Sequence, residues 1–286
     1  MGAKFCIECG NSLFEKKKEE PTQDDLFSNT PPPPPPPKEE EPQPKGSTMA
    51  NAAEIWQLKQ SFFDALKNRV EEEHHPAEYT SYVNRMQDSG FHEVLDINSR
   101  RIYQTIEQKR KAKDPQFKLE SYKHVAFEDL LDQFIIQHCQ DLNPIPLPDK
   151  ILMYQNTTEP ELFDMVLDYL DLEKEPEPTY LDFIKMPLKK LENASKHFIK
   201  SEKDEKIFFI CDQSIAGSCK EGFAMTNKAL YWRAHLLKAQ RVDYRHIISV
   251  TREKDWILIN DQFFNVNPAL NLKMMKLLKK LQRTVV

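Results

Sequence analysis

Two cysteines near the start of the chain, Cys6 and Cys9, have the spacing of a metal-binding pair. The two intervening residues let both thiolates reach one ion, and Gly10 permits the turn that points backbone amides at the sulfur atoms. A structural zinc ion takes four protein ligands, and this motif supplies two of them. The sequence therefore predicts half of a zinc site at Cys6 and Cys9.

The segment FCIECGNSL resembles the first half of the zinc-ribbon domains found at the start of many bacterial proteins. Those domains carry CxxCG, a spacer and a second CxxC, and the resemblance implies zinc as the cofactor. In this chain only Cys6 and Cys9 match the pattern. The other common use of CxxC, in thioredoxin-like redox enzymes, needs a strand and helix around the motif that these first residues do not predict.

Three ways of completing the half-site stay open. Two copies of the chain, or the chain and a partner protein, can each supply one pair of cysteines. The pair can also be a remnant that holds no metal tightly. The third way is completion within the chain by remote histidines or cysteines, for which the candidates are His74, His75, His138, Cys139, Cys211 and Cys219.

Composition is typical of a cytoplasmic globular protein with a disordered part. The 286 residues are 40% hydrophobic and 30% charged, and five cysteines do not suit a disulfide framework. No apolar run approaches the roughly 20 residues of a membrane-spanning helix, and no secretory signal is expected. Glycine-rich phosphate-binding patterns are missing, and a sequence pI of about 6.0 makes nucleic acid an unexpected partner.

Charge is distributed unevenly along the chain. Residues 220–286 contain 13 Lys and Arg against 5 Asp and Glu, a balance of +8. The whole chain carries −5, so residues 1–219 sum to −13. We favour attraction within the molecule, because the bases are interspersed with acids, over the alternative of an anionic lipid or protein partner.

The chain divides into five predicted segments. Residues 1–18 contain the cysteine pair, and residues 19–48 form a disordered linker with seven consecutive prolines that holds the pair away from the rest. Residues 51–142 have apolar residues at helical spacing and predict a helical domain. Residues 143–200 predict a helical connector, and residues 201–286 predict a strand-rich domain.

One helix of the connector has strong signals at its start. Thr158 is a good N-cap, Pro160 suits the first turn, and Glu161 stands three residues after the cap. Together they predict a capping box and a helix that begins at Thr158. A further helix is predicted over residues 186–200.

Apolar residues alternate with polar ones from residue 206 and predict six or seven short strands. One hairpin is expected across residues 226–228 and another across residues 260–261. A final helix is predicted from Pro268, with basic residues around one apolar stripe. The stripe consists of Leu270, Met274, Leu277, Leu278 and Leu281.

This order of strands and helix resembles the bacterial pleckstrin-homology-like (GRAM-like) domains, chiefly over DQSIAGSCKEGFAMTNKALYWR, residues 212–233. The resemblance implies a bent seven-stranded barrel with one end plugged by the last helix, but no particular chemistry, because such folds serve many ligands. The expected fold class is therefore multidomain α+β. Its parts are a half zinc ribbon, a disordered proline-rich linker, a helical domain and a β-barrel capped by a helix.

Aromatic and basic residues are interleaved on the predicted barrel strands. Lys228, Tyr231, Arg233 and Arg245 form the candidate surface for a peptide or an anionic head group. Because neighbouring residues in a strand point to opposite faces, Tyr231 and Trp232 are not both expected in the core. We expect one of these two rings to lie outside.

The sequence does not predict an enzyme. The eight histidines are scattered, and neither HExxH nor GxSxG occurs. We expect a non-enzymatic adaptor that binds a protein partner or itself through its terminal modules. The main alternative is a peripheral membrane sensor that binds anionic lipid with the basic face of residues 220–286. A hydrolase in the helical domain would need a polar pocket within residues 51–200.

Overall fold

The structure, a computed structural model, describes most of the chain from residue 49 onward. The described ranges are 49–73, 78–143, 145–155 and 160–284. Cys6, Cys9 and the proline-rich linker lie outside these ranges. All of the features below belong to the unit that begins at Ser47.

Four helices come first among the described residues. They are α1 (Met49–Glu72), α2 (Tyr79–Asp88), α3 (Phe91–Ala112) and α4 (Leu119–His138). Their apolar faces meet in one core, in which Phe62, Leu66 and Phe134 are fully buried. Gly90 turns the chain between α2 and α3 with a φ of 73°, a conformation that glycine adopts without steric cost. The predicted helices of this part are confirmed.

The connector contains three short elements. They are α5 (Leu162–Leu170), β1 (Thr179–Tyr180) and α6 (Leu188–His197). The predicted capping box is wrong, because Glu161 is the N-cap of α5 with an extended backbone, and Thr158 lies outside the described residues. The first backbone bond of the helix runs from the Met165 amide to the Glu161 carbonyl at 3.0 Å. Burial of the Met165 face thus sets where the helix begins.

Seven further strands follow. They are β2 (Ile207–Asp212), β3 (Gly222–Thr226), β4 (Ala229–Arg233), β5 (Gln240–Asp243), β6 (Val250–Glu253), β7 (Trp256–Ile259) and β8 (Gln262–Phe264). Both predicted hairpins are confirmed, since Met225 pairs with Leu230 and Ile259 pairs with Gln262. Asn260, with φ 48°, opens the second turn in the left-handed conformation that tight hairpins require.

The strands do not close into the expected barrel. Among the described residues they form two antiparallel sheets, one of five strands in the order β1-β2-β3-β4-β5 and one of three in the order β6-β7-β8. A 3-10 turn over Tyr244–His246 separates β5 from β6, so the ladder stops there. The sheets are linked by a side chain instead, because the Trp232 indole donates to the Phe263 carbonyl at 2.8 Å. The architecture is α+β with a helical part and two antiparallel sheets.

Both faces of the five-stranded sheet are covered. Trp232 packs into the larger core on one face, and Tyr231 packs on the other face against a smaller core that includes Ala194 and Phe198 of the α6 region. Tyr231 is 1% exposed and Trp232 is 3% exposed. The prediction that one of the two rings lies outside is therefore wrong. It assumed a sheet with one solvated face, whereas α6 covers the second.

The last helix, α7 (Pro268–Thr284), is buried on more than its apolar stripe. Leu270, Met274 and Leu277 are fully buried in the larger core, as the stripe predicts. The lysines on the remaining sides, however, are also buried, with Lys273 at 5% and Lys276 at 3% exposure. The reason is that α7 lies between the sheets and the helices α1, α4 and α5.

A buried set of ion pairs joins α7 to α1 and α4. We call it the interhelix ion cluster, and its members are Arg69, Glu73, Glu128, Asp132 and Lys276. Asp132 accepts from Arg69 at 2.7 Å and from Lys276 at 2.5 Å. Burial alone would lower the pKa of Arg69, but Glu128, Glu73 and Asp132 hold it well above the usual value. Such a cluster holds its charges because they are paired with one another.

Candidate binding cleft

Two of the four candidate residues lie in one open cleft at one end of the five-stranded sheet. Lys228 immediately precedes β4, and Arg245 lies in the 3-10 turn after β5. The pairing of β4 with β5 brings them close, because the Tyr244 amide donates to the Lys228 carbonyl at 3.0 Å. We call this feature the Lys228 cleft, and it has a volume of about 300 Å³. Its charged lining residues are Glu202, Lys228, Arg241, Asp243, Arg245 and His246.

The turn that carries Lys228 is held by local side chains. The Thr226 hydroxyl accepts from the amides of Lys228 at 3.0 Å and Ala229 at 2.9 Å. Asn227 accepts from the Lys206 amide through its side chain at 2.8 Å. Threonine and asparagine are suited to this task because their short polar side chains reach nearby backbone groups. The base of the cleft is therefore fixed by hydrogen bonds.

Lys228 faces two carboxylates from the chain before β2. Its ammonium lies 2.5 Å from Asp204 and 3.3 Å from Glu202. The hydrogen bond to Asp204 is the main reason that the pKa of Lys228 is raised. Both carboxylates are largely exposed, so water and salt weaken these pairs. A ligand can replace them at little cost.

Arg241 is the cleft residue that the sequence analysis missed. Its guanidinium stacks over the Tyr231 ring at 5.4 Å, donates to the Tyr231 hydroxyl at 2.8 Å, and pairs with Glu205 at 2.9 Å. Tyr231 in turn donates to Glu205 at 2.7 Å. Burial and this bond to Glu205 raise the pKa of Tyr231 to about 12. Tyr231 is therefore a support behind the cleft wall, and Arg241 is the charged group in front of it.

The signal for Arg241 was present in the strand register. Tyr231 of β4 pairs directly with Arg241 of β5, and paired residues lie on the same face of a sheet. A hairpin over residues 229–243 was not among the predicted turns, so this register could not be used.

Arg245 is the least satisfied cation of the cleft. It is exposed, and among the described residues no carboxylate forms an ion pair with it. Its neighbour His246 lies 3.6 Å from Asp243, which also pairs with Arg241 at 2.6 Å. The cleft therefore holds a guanidinium that can donate to a carboxylate or phosphate oxygen without first losing a described carboxylate partner.

Arg233, the fourth candidate, lies at the other end of β4. Its guanidinium donates to the carbonyls of Leu237 at 3.1 Å and Lys220 at 3.4 Å, and it lies 3.0 Å from the His197 ring. These contacts tie together the loops after β2 and β4. The structure thus does not bring Arg233 together with Lys228 and Arg245.

The described cysteines do not assemble a metal centre. Cys139, Cys211 and Cys219 are all buried, and burial raises the pKa of each thiol to about 12. Among the described residues no group of three or more His, Cys, Asp and Glu side chains is placed to hold a metal ion. His74 and His75, like Cys6 and Cys9, lie outside the described residues, so the zinc half-site stays a prediction.

A groove between α3 and α4 lies within residues 51–200, where a hydrolase would need its pocket. Its volume is about 240 Å³. Asp129 is the one carboxylate among its lining residues, and Arg101 is the one base. Burial raises the pKa of Asp129. The other polar lining residues are Asn98, Thr105, Tyr122, Gln133 and Gln155.

No protein-family model, curated protein or solved structure matched the chain. Among the described helices, none is both long enough and apolar enough to cross a membrane.

Proposed function

We propose that this chain is a non-enzymatic, cytoplasmic adaptor that binds an acidic segment of a partner protein in the Lys228 cleft. The observation that carries this proposal is Arg245, a cation without a described carboxylate partner, beside Lys228 and Arg241 in an open cleft. An arriving carboxylate can form a paired, two-bond contact with such a guanidinium.

The pleckstrin-homology-like assignment is part of the proposal. It is supported by seven short strands over residues 207–264, arranged in two antiparallel sheets, and by the single helix α7 that follows them. In this interpretation the helical part is a scaffold, and the sheets present the cleft at one end.

The zinc half-site is the second proposed contact of the adaptor. Cys6 and Cys9 would hold one zinc ion together with a cysteine pair from a second copy or a partner protein. Zinc content and mass in solution, measured on the full chain, test this point together. One zinc per two chains supports a shared site, and an unchanged zinc content in Cys6→Ser contradicts it.

The alternative of a membrane sensor that uses the basic face of residues 220–286 has less support in its α7 part. Lys273 pairs with Glu175 at 2.6 Å, Lys276 belongs to the interhelix ion cluster, and Lys279 pairs with Glu72. These lysines would have to leave their partners before they could meet lipid head groups.

Binding of a labelled oligoglutamate peptide, followed by fluorescence anisotropy at low ionic strength, tests the cleft. We expect binding that weakens at least about tenfold in Arg245→Glu, because an attraction becomes a repulsion. Lys111→Glu is the matched control, since Lys111 is an exposed base at the end of α3. No binding, or an equal loss in both variants, would overturn the proposed cleft.

A further inference from the structure

Several aliphatic side chains project into solvent around the start of α6. Ile184 is 97% exposed and Leu188 is 70% exposed, whereas Met186 between them is buried. Leu181, just before them, is 43% exposed. Each fully exposed large aliphatic side chain forgoes the stabilisation that burial of its apolar surface would give. We call this region, residues 181–189, the α6 surface.

The α6 surface is fixed in place by core packing and by a hydrogen-bonded turn. Met186, Ala194 and Phe198 are buried in the core beneath α6, against the five-stranded sheet. Asp182 caps the turn by accepting from the Ile184 amide at 3.0 Å. The side chain of Ile184 therefore points outward from a packed, hydrogen-bonded turn.

A neighbouring loop adds a second projecting isoleucine. Ile215, between β2 and β3, is 90% exposed. Its loop is fastened to α6, because Asn193 donates to the Ser218 carbonyl at 2.8 Å and Lys190 lies 3.6 Å from Asp212. Two separate chain segments, both attached to α6, thus display aliphatic side chains, and we include Ile215 in the α6 surface.

The charge around these tips is positive. Residues 181–189 contain two lysines and one acid, and residues 190–200 add three lysines and one acid, which gives a balance of +3 over the two stretches. Lys189 is exposed, and Lys185 is exposed with one weak pair to Asp182 at 3.1 Å. In contrast to Lys273 and Lys276 of α7, these two form no ion pair with a buried carboxylate in the part of the chain that the structure describes.

We propose that the α6 surface binds the surface of an anionic lipid membrane. Aliphatic side chains that enter the acyl boundary and lysines that meet anionic head groups are two separate contributions, and stable membrane anchoring generally combines two such signals. Charge complementarity and the projection of single side chains from separate segments favour a lipid surface over a flat protein interface. This surface lies outside residues 220–286, and it would place the adaptor at a membrane without using the Lys228 cleft.

Sedimentation of the full chain with vesicles tests the proposal. We expect binding to vesicles of phosphatidylcholine with phosphatidylserine, little binding to phosphatidylcholine alone, and a decrease when salt is added. Replacing both tips, Ile184→Asp with Ile215→Asp, should reduce the partition coefficient at least about tenfold. Lys185→Glu with Lys189→Glu should reduce binding to the anionic vesicles by a similar factor.

Two control variants distinguish binding through the α6 surface from non-specific adsorption to vesicles. Ile248→Asp changes an isoleucine that is 81% exposed in the loop before β6, and Lys111→Glu with Lys113→Glu changes two exposed bases at the end of α3. Both should bind vesicles as the unaltered chain does. Failure of the unaltered chain to bind anionic vesicles, or an equal loss in the controls, would overturn the proposal. A protein would then be the remaining candidate partner for the α6 surface. The peptide assay on Arg245 would be unaffected by either result.

Discussion

The interhelix ion cluster and the Lys228 cleft are built from the same chemical groups but in opposite surroundings. Each combines lysine, arginine and several carboxylates. In the cluster, Lys276 and Asp132 are 3% and 4% exposed at their side chains, whereas in the cleft Asp204 is 72% exposed. The number of charges therefore does not distinguish a structural feature from a binding site here. The two regions differ instead in how far their charged groups are exposed to water.

Burial changes how much stability is lost when one partner of an ion pair is removed. A buried pair that loses one partner leaves an uncompensated charge, while an exposed pair that loses one partner simply regains water. The cluster should thus govern whether the protein folds, and the cleft should govern what the folded protein binds. The following variants test that separation, from the largest expected effect to the smallest.

Asp132→Ala should be the most damaging single change. It removes the carboxylate shared by Arg69 and Lys276, and we expect the free energy of unfolding to fall by about 3–5 kcal/mol. Urea unfolding followed by circular dichroism measures the change. Asp141→Ala is the control, because it breaks the exposed pair with Arg85 and should shift the midpoint far less. Equal shifts would contradict the comparison.

Replacing the pair as a unit should recover much of this loss. Asp132→Leu with Lys276→Met removes both charges and leaves apolar groups of similar size, which buried sites often accept. If the double variant were as unstable as Asp132→Ala, the cost would lie in packing and not in the unpaired charge.

The stability of the protein should fall in acid partly through Glu128. Burial would raise the pKa of Glu128, but Arg69 and Lys276 lower it by more, so it lies well below the ordinary value of 4.5. A carboxyl with a depressed folded pKa contributes stability above its unfolded value and loses that contribution as the pH falls. At neutral pH the urea midpoint of the unaltered chain should therefore exceed that of Glu128→Gln. This difference should shrink as the pH is lowered below 4.5. A constant difference across that range would be inconsistent with this pairing.

Lys228→Ala should have the smallest effect on stability. Its partners Asp204 and Glu202 are exposed and remain hydrated when the ammonium is lost, so the urea midpoint should barely move. Binding of the oligoglutamate peptide should weaken nevertheless. A large loss of stability would mean that the cleft is structural and would remove the distinction between the two regions.

The sequence predicted elements where one local pattern decides the outcome. The stripe from Leu270 to Leu281 and the turn at Asn260 are of this kind, because spacing or turn chemistry alone specifies them. Prediction from the sequence failed where a segment distant along the chain determines whether a side chain is buried. Lysine usually indicates a solvated face, so the second buried side of α7 was invisible, as was the cover that α6 provides for Tyr231.

One signal of the buried cluster was nevertheless present in the sequence. Asp132 stands in the run LLDQFII of α4, between leucines and a phenylalanine that are buried. A carboxylate in the middle of such a run needs a cationic partner. Sequence order could not say which of the many lysines and arginines supplies it, because Lys276 lies 144 residues away.

The position of α7 has a consequence for how the protein can be divided. Its apolar side completes the core under the sheets, and its lysines satisfy carboxylates on the opposite side. A fragment that stops before Pro268 would lack the apolar side chains that complete the core under the sheets. It would also lack the lysines that neutralise the carboxylates on the opposite side of α7. The helices and the sheets should accordingly melt together, and neither half is expected to survive as an independent piece.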